Sequence, residues 1–224
     1  MIKTKLIALT AFMSCSALLV AQSEETEGAD FIYDASFSYL LGDVPTLENK
    51  WYSNGHAFSF MGEARMGSHA AFGYGLGLSV YVLHNNLNYT KPERDGTPGF
   101  STFTISPDSA VNVNEQMLNY IDVPLEFRFR TRPNERGNDF NVTIGARIGY
   151  RYMGNAYHRS GDYAIRQYRI LGESRWRLQP YARIGWGEFA LFAGLDLLYN
   201  LEQWTSTAGV GNYNMVSAGL SIQL

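Results

Sequence analysis

The 224-residue sequence has one cysteine, Cys15, and four lysines, and it contains no apolar run of twenty residues. Cys15 lies in the first 21 residues, so a chain that loses that segment carries no disulfide and no thiol chemistry. Without a run of about twenty apolar residues, a membrane could not be crossed by a single helix. Charged residues make up only 17% of the chain. No HExxH metal motif, GxSxG nucleophile motif or phosphate-binding loop occurs.

The N-terminal segment has the layout of an export signal. Lys3 and Lys5 form a basic start, Leu6 to Val20 is mostly apolar, and Ala21 precedes Gln22 at a plausible cleavage site. Residues 1–21 are therefore expected to be a cleaved signal peptide, 22–30 a short N-terminal segment, and 31–224 the folded domain. Cleavage before Cys15, as in a lipoprotein, is disfavoured because Phe12-Met13-Ser14 is a poor approach to a lipidated cysteine. Removing Lys3 and Lys5 leaves a net charge of about −5. A nucleic-acid partner is not expected, since such binders present a net-basic face.

What the chain does have is glycine (22 residues), aromatics (14%) and repeated period-two alternation. Asn141 to Tyr152 reads NVTIGARIGYRY, with Val142, Ile144, Ala146, Ile148, Tyr150 and Tyr152 on one face and Thr143, Gly145, Arg147, Gly149 and Arg151 on the other. A helix would not put one kind of residue at every even step, so the expected element is a strand. The same pattern recurs in eight places, within Phe31–Leu41, Ala57–Met66, Phe72–Leu83, Met117–Arg130, the Asn141 stretch, Trp176–Trp186, Phe189–Leu201 and Tyr213–Leu224.

The links between these segments alternate. Long ones (Gly42–His56, His84–Gln116, Met153–Arg175, Glu202–Asn212) interleave with short ones near Ser68, Asn134 and Gly187-Glu188. In an up-and-down meander this gathers the long links at one end. Segments of about 10 to 14 residues, an even strand count, one-sided loops and an export signal together predict an all-β, eight-stranded antiparallel up-and-down transmembrane β-barrel in a Gram-negative outer membrane. The closed sheet would pair every backbone group in lipid. Aromatics support two interfacial belts: Phe31, Tyr33, Phe72, Tyr74, Phe129, Phe140, Trp186 and Phe189 at the periplasmic rim, and Tyr39, Tyr150, Tyr152, Trp176, Tyr199 and Trp204 at the other. The opposite arrangement, a soluble exported barrel with the apolar rows inside, would leave the arginines on its surface.

The inward face then collects Asp34, Glu63, Asp122, Glu126 and Asp196 with Arg65, Arg128, Arg130, Arg147, Arg151, Arg177 and Arg183. An eight-stranded barrel is just wide enough for its own side chains to fill. These residues are expected to form a bonded plug, with Asp122 and Glu126 as the first candidates to meet Arg147 and Arg151. Inward glycines (Gly73, Gly75, Gly77, Gly145, Gly149, Gly185, Gly194, Gly219) would make room beside large side chains. Pro124 and Pro180 each remove a ladder donor, so bulges or irregular pairing are expected there. His56, His84 and His158 would lie at the long-link end, the arrangement a lipid-modifying enzyme would need, but none is spaced with a partner. No metal or cofactor is expected.

The segment Tyr120-Ile121-Asp122-Val123-Pro124-Leu125-Glu126-Phe127 resembles a strand of porin-like outer-membrane β-barrel proteins of the PorT-type group. The resemblance extends through Gly145-Ala146-Arg147-Ile148-Gly149-Tyr150 and the glycine-rich third strand. It departs in the charged sixth strand and in Leu224, where bacterial barrels often end on an aromatic. The resemblance implies the membrane-barrel fold and no assigned catalytic residues; members include transport, secretion-associated and uncharacterised proteins. The expected role is structural or interaction-based, through the extracellular loops. A narrow channel or small-solute transporter is the alternative, and an outer-membrane lipid-modifying enzyme the third reading. Expected partners are outer-membrane lipid, the barrel-assembly machinery during insertion, and a protein or small solute at the loops.

Overall fold

Alternation becomes a wall. In the computed structural model, which describes residues 30–42, 47–90, 101–104, 111–134, 138–168, 175–197 and 213–224, eight strands close into an antiparallel barrel. These are β1 (Asp30–Gly42), β2 (Asn54–Arg65), β3 (Ala70–His84), β6 (Val113–Arg130), β7 (Phe140–Ser160), β9 (Trp176–Trp186), β10 (Phe189–Asp196) and β11 (Tyr213–Gln223). Three short strands lie outside the barrel. β4 (Leu87–Thr90) pairs with β5 (Ser101–Thr104), and β8 (Tyr163–Tyr168) pairs with the far end of β7. The ring runs β6-β3-β2-β1-β11-β10-β9-β7 and is closed by pairing of β7 with β6.

The stagger can be followed residue by residue. Starting at Phe140 and stepping across Trp186, Phe189, Ile222, Tyr33, Phe58, Leu78 and Ile121, the ladder returns to β7 at Tyr150, ten residues further on. Such a displacement requires tilted strands, roughly 35–45° in barrels of this kind. Every side chain on that spiral is apolar or aromatic. Phe60, Ile144, Leu191 and Leu220 on the same outer surface are 64%, 59%, 68% and 60% exposed. That much apolar area is an unbroken belt on the barrel, far beyond the patches a water-facing surface tolerates, and lipid is the solvent that matches it.

The strand ends differ from expectation in informative ways. Pro124 and Pro180 bring the irregular pairing expected of them, but no bulge. Pairing of β3 with β6 skips from Tyr74–Leu125 to Gly77–Asp122, and β9–β10 pairing stops at Tyr181–Gly194, yet register is kept in both. Past Pro180 the backbone N–H of Leu197 donates to Leu178 O at 2.9 Å, in the same register. The bulge lies on β7 instead. Tyr120 pairs with Arg151 and Asn119 with Met153, leaving Tyr152 without a partner and switching which residues of β7 face inward.

The link expected over Met153–Arg175 is largely strand. β7 runs on to Ser160, and β8 folds back along it. Asn54 to His56, expected in a link, open β2. The tight turn between β9 and β10 passes through Gly187 at φ 58°, a left-handed conformation that favours glycine. Residues 1–21 and 22–29, with Tyr199 and Trp204 of the upper aromatic belt, lie outside the described residues. Of the expected belt aromatics, Phe129, Phe140, Trp186 and Phe189 are exposed near the short turns, and Tyr150, Tyr152 and Trp176 near the long links, where Trp51 and Tyr52 are exposed too. Phe37, Phe58, Phe60 and Phe127 are exposed as well, so aromatics are not confined to the two rims.

Candidate functional site

The inner face of the barrel is filled. Asp34, Asp122, Glu126 and Asp196 are buried with Arg128, Arg147, Arg151, Arg177 and Arg183, so acids and bases share one water-poor interior. An unpaired charge there would be costly, and the side chains form a connected network.

At the periplasmic mouth Arg128 reaches Asp30 at 2.7 Å and Glu63 at 3.0 Å, while its Nε donates to Glu126 at 2.8 Å. Arg130 pairs with Glu63 at 2.8 Å. Glu126 next accepts from Arg183 at 2.6 Å and from the Tyr181 hydroxyl at 2.5 Å. Arg183 grips Asp34 through two bonds of 3.0 and 2.8 Å, and Arg147 pairs with the same carboxylate. Higher up, Arg177 holds Asp122 through Nε at 3.1 Å and Nη2 at 2.7 Å, and Asp196 at 3.4 Å. Ser79 bridges Arg177 and Asp122. The two charged groups are joined by neutral side chains: Arg147 donates to Gln179 Oε1 at 3.3 Å, and Gln179 Nε2 donates to the Tyr81 hydroxyl at 3.3 Å.

Arginine suits this interior because its planar fork bonds in the plane and stacks on rings above and below. The Arg177 guanidinium lies 4.2 Å from the Tyr120 ring centre and 5.0 Å from that of Tyr81. The Arg147 and Arg183 guanidiniums lie 4.7 and 4.8 Å from the centre of the Tyr181 ring.

Arg147 does not meet Asp122 or Glu126, and the stagger explains why. Its cross-strand neighbours are Pro124 and Gln179, so the side chain extends over the lumen to Asp34 on β1. Asp122 and Arg177 instead occupy the positions on either side of Gly149. A Cβ at Gly149 would come within 2.7 Å of Arg177 and collide with Asp122, so glycine is what lets the pair join across β7. Glu126 and Tyr181 flank Gly145 in the same way, and a Cβ there would lie 2.8 Å from the Tyr181 ring.

Of the remaining expected lumen charges, Arg65 is a correction. It ends β2 at the rim of the periplasmic mouth and is exposed rather than buried among the other charges, although it still has an interaction partner. Arg151 is buried beside the bulge and is not free either. Asp30 was missing from the expected network because it immediately precedes the alternating segment. Tyr181 and Ser79 join the network as uncharged members, which the pattern of charges alone does not single out.

Above the charges the lumen changes character. Leu40, Tyr81, Leu83, Leu87, Leu118, Tyr120, Ala156 and Met215 form an apolar cluster, against which Leu47 packs. The link after β1 is held over it by Asn49, whose side chain accepts from Leu40 N at 3.1 Å and donates to Leu40 O at 2.8 Å. Salt bridges thus fill the lower lumen and an apolar stopper lies at the extracellular end.

The histidines do not converge. His56 sits within β2 on the outer face, stacked on Tyr33, whose hydroxyl lies 2.7 Å from His56 Nδ1; it is not in a link. His84 ends β3 against the Tyr52 ring, 4.6 Å between centres. His158 Nδ1 lies 3.4 Å from Asn114 Oδ1 on the other side of the β6–β7 sheet, and His69 contacts Ser68 in a periplasmic turn. Among the described residues no group of three or more His, Asp or Glu side chains is placed to hold a metal.

Comparison with known proteins agrees with this architecture. No curated protein sequence matches the chain. A solved structure described as "Asymmetric conductivity of engineered proteins" covers 89% of this chain and 100% of its own at 8% identity, with a TM-score of 0.21, too low to carry an argument. Residues 24–206 match the outer membrane protein beta-barrel domain, over most of the chain and seven of the eight barrel strands. The chain belongs to that family of bacterial outer-membrane β-barrels.

Proposed function

We propose that this outer-membrane protein is a closed barrel that works through its extracellular face, as a structural or docking element rather than a pore. The observation carrying this reading is the lumen, occupied by ion pairs from Asp30 up to Arg177 and by the apolar cluster above them. A conducting eight-stranded barrel would need a continuous wet path, and in this one Arg128, Arg147, Arg177 and Arg183 each reach a carboxylate on another strand across the lumen. Lipid surrounds the apolar belt, and insertion is proposed to pass through the barrel-assembly machinery. The Tyr120–Phe127 strand supports placement within the PorT-type group, without favouring transport or secretion.

Planar-bilayer recording of the refolded protein tests the reading. Current at the empty-membrane baseline is expected; a stable open state in the unaltered protein would establish the narrow-channel alternative. A catalytic role is not proposed, since the histidines are dispersed over β2, β3 and β7. Lipid A mass spectrometry with and without expression checks this. An altered acyl pattern that disappears on substituting His56, His84 or His158 would make the protein a lipid-modifying enzyme.

A further inference from the structure

The sheet continues beyond the barrel. Above the bulge at Tyr152, Val113–Leu118 of β6 stay paired with Gly154–Arg159 of β7, and β8 adds a third strand, Tyr163–Tyr168 against Asn155–Ser160. This ribbon lies past Tyr150, Tyr152 and Trp176 of the upper aromatic belt, so it stands clear of the lipid. β8 is last in the strand order, and no described residue pairs with its outer edge.

Free edges are normally blunted by lysine, proline, bulges or a covering element, because they are templates for another strand. β8 reads Tyr-Ala-Ile-Arg-Gln-Tyr, with no lysine, no proline and no bulge against β7. Six residues span about 20 Å, enough for a short peptide to pair along. Ile165 and Tyr168 are exposed there, and Arg166 stacks on the Tyr157 ring at 5.1 Å. Neither Arg166 nor Arg159 beside it has a carboxylate partner among the described residues, in contrast to the paired arginines of the lumen. Glu115 lies in the same cross-strand row, one strand further in: it pairs with Tyr157, which stands between it and Arg166, and with His84 on its other side, so the outer edge itself carries arginine, and Asp162 lies in the turn.

We infer that the outer edge of β8 is a docking strand for an extended segment of a partner protein, one that carries a carboxylate opposite Arg166 between apolar residues. Backbone pairing supplies the attachment, and Arg166 with the exposed Ile165 and Tyr168 selects the sequence. The inference rests on the proposed extracellular role and names the surface that performs it.

The test uses the full refolded chain in nanodiscs and a fluorescent eight-residue peptide alternating glutamate and valine, with a lysine–valine peptide as control. Anisotropy is expected to show saturable binding of the acidic peptide, about tenfold tighter than the basic one. R166E should reverse that preference. I165P, placed outside the membrane so that the barrel still folds, should weaken the acidic peptide about tenfold. Equal binding of both peptides, or unchanged binding by R166E and I165P, overturns the proposal. So does dimerisation through β8, seen as disulfide formation by I165C, because the edge would then be filled by a second copy. A current-free barrel that ignores the peptide removes β8 as the docking edge and leaves the closed-barrel reading intact; a conducting barrel that binds it does the reverse.

Discussion

The lower and upper lumen close the same barrel by different physics. Below, Asp34, Glu126, Arg147 and Arg183 are joined by short directional bonds to named partners on other strands. Above, Leu83, Leu87, Leu118 and Met215 fill space without directional preference. Ion pairs fix which strand faces which, because a one-residue slip would send each arginine to the lipid side. The apolar stopper tolerates exchange of shape but not loss of volume. Pairing in the lower region is therefore less a source of net stability than a constraint on register, while the upper region contributes by exclusion of water.

The largest effect is expected at Arg183. Arg183→Ala removes one of the two arginines on Asp34 and one of the two on Glu126, leaving buried charge under-compensated at about 3–5 kcal/mol. Urea unfolding of the refolded protein in nanodiscs measures it. Leu118→Ala in the stopper is expected to cost about 2–5 kcal/mol through lost burial and the cavity left behind. The double variant sharpens the comparison. Since the two sites share no partner, the losses should add to within about 0.5 kcal/mol, and a large coupling would mean that the two regions act as one plug.

The outer wall provides an intermediate effect. Leu191→Arg places a charge on the lipid face, and about 2–4 kcal/mol is expected if its position lies near the bilayer midplane. In a water-facing barrel the same change would be nearly neutral, so this single value separates the two environments. Gly149→Ala comes next. Its methyl would intrude on Arg177 and Asp122, and overpacking of this kind costs about 1–3 kcal/mol. A neutral result would mean that the pair does not cross β7 at that glycine.

The sequence was most legible where strict alternation holds. The lower lumen was readable because Asp122, Glu126, Arg128, Arg147, Arg177 and Arg183 fall in phase on their strands, and even the inward glycines were visible as space for large neighbours. Partner choice was not readable, since it depends on the stagger of strands distant in sequence, as when Arg147 bypasses β6 for Asp34. The stopper was hidden for a different reason. Leu47 and Leu87 come from segments that look like polar links, and Ala156 faces inward only because the bulge at Tyr152 shifts the phase of β7. The β8 ribbon escaped notice as well, because six residues of mixed character give no clear period.

The smallest effect is expected at Asp196, and it separates strong from weak members within the charged region itself. Arg177 binds Asp122 through two nitrogens at 3.1 and 2.7 Å but reaches Asp196 through one, at 3.4 Å. Asp196→Asn keeps the volume and an acceptor oxygen, and Arg177 retains Asp122 as counter-charge. A loss of about 1 kcal/mol or less is therefore expected in the same urea experiment, near the net worth of an ordinary hydrogen bond. A loss as large as that of Arg183→Ala would show that the lower lumen acts as an undivided charge-balanced whole, in which bond length does not rank its members. The small value would instead locate the register constraint in the Asp34–Arg183–Glu126 group, where each carboxylate is bonded by two arginines.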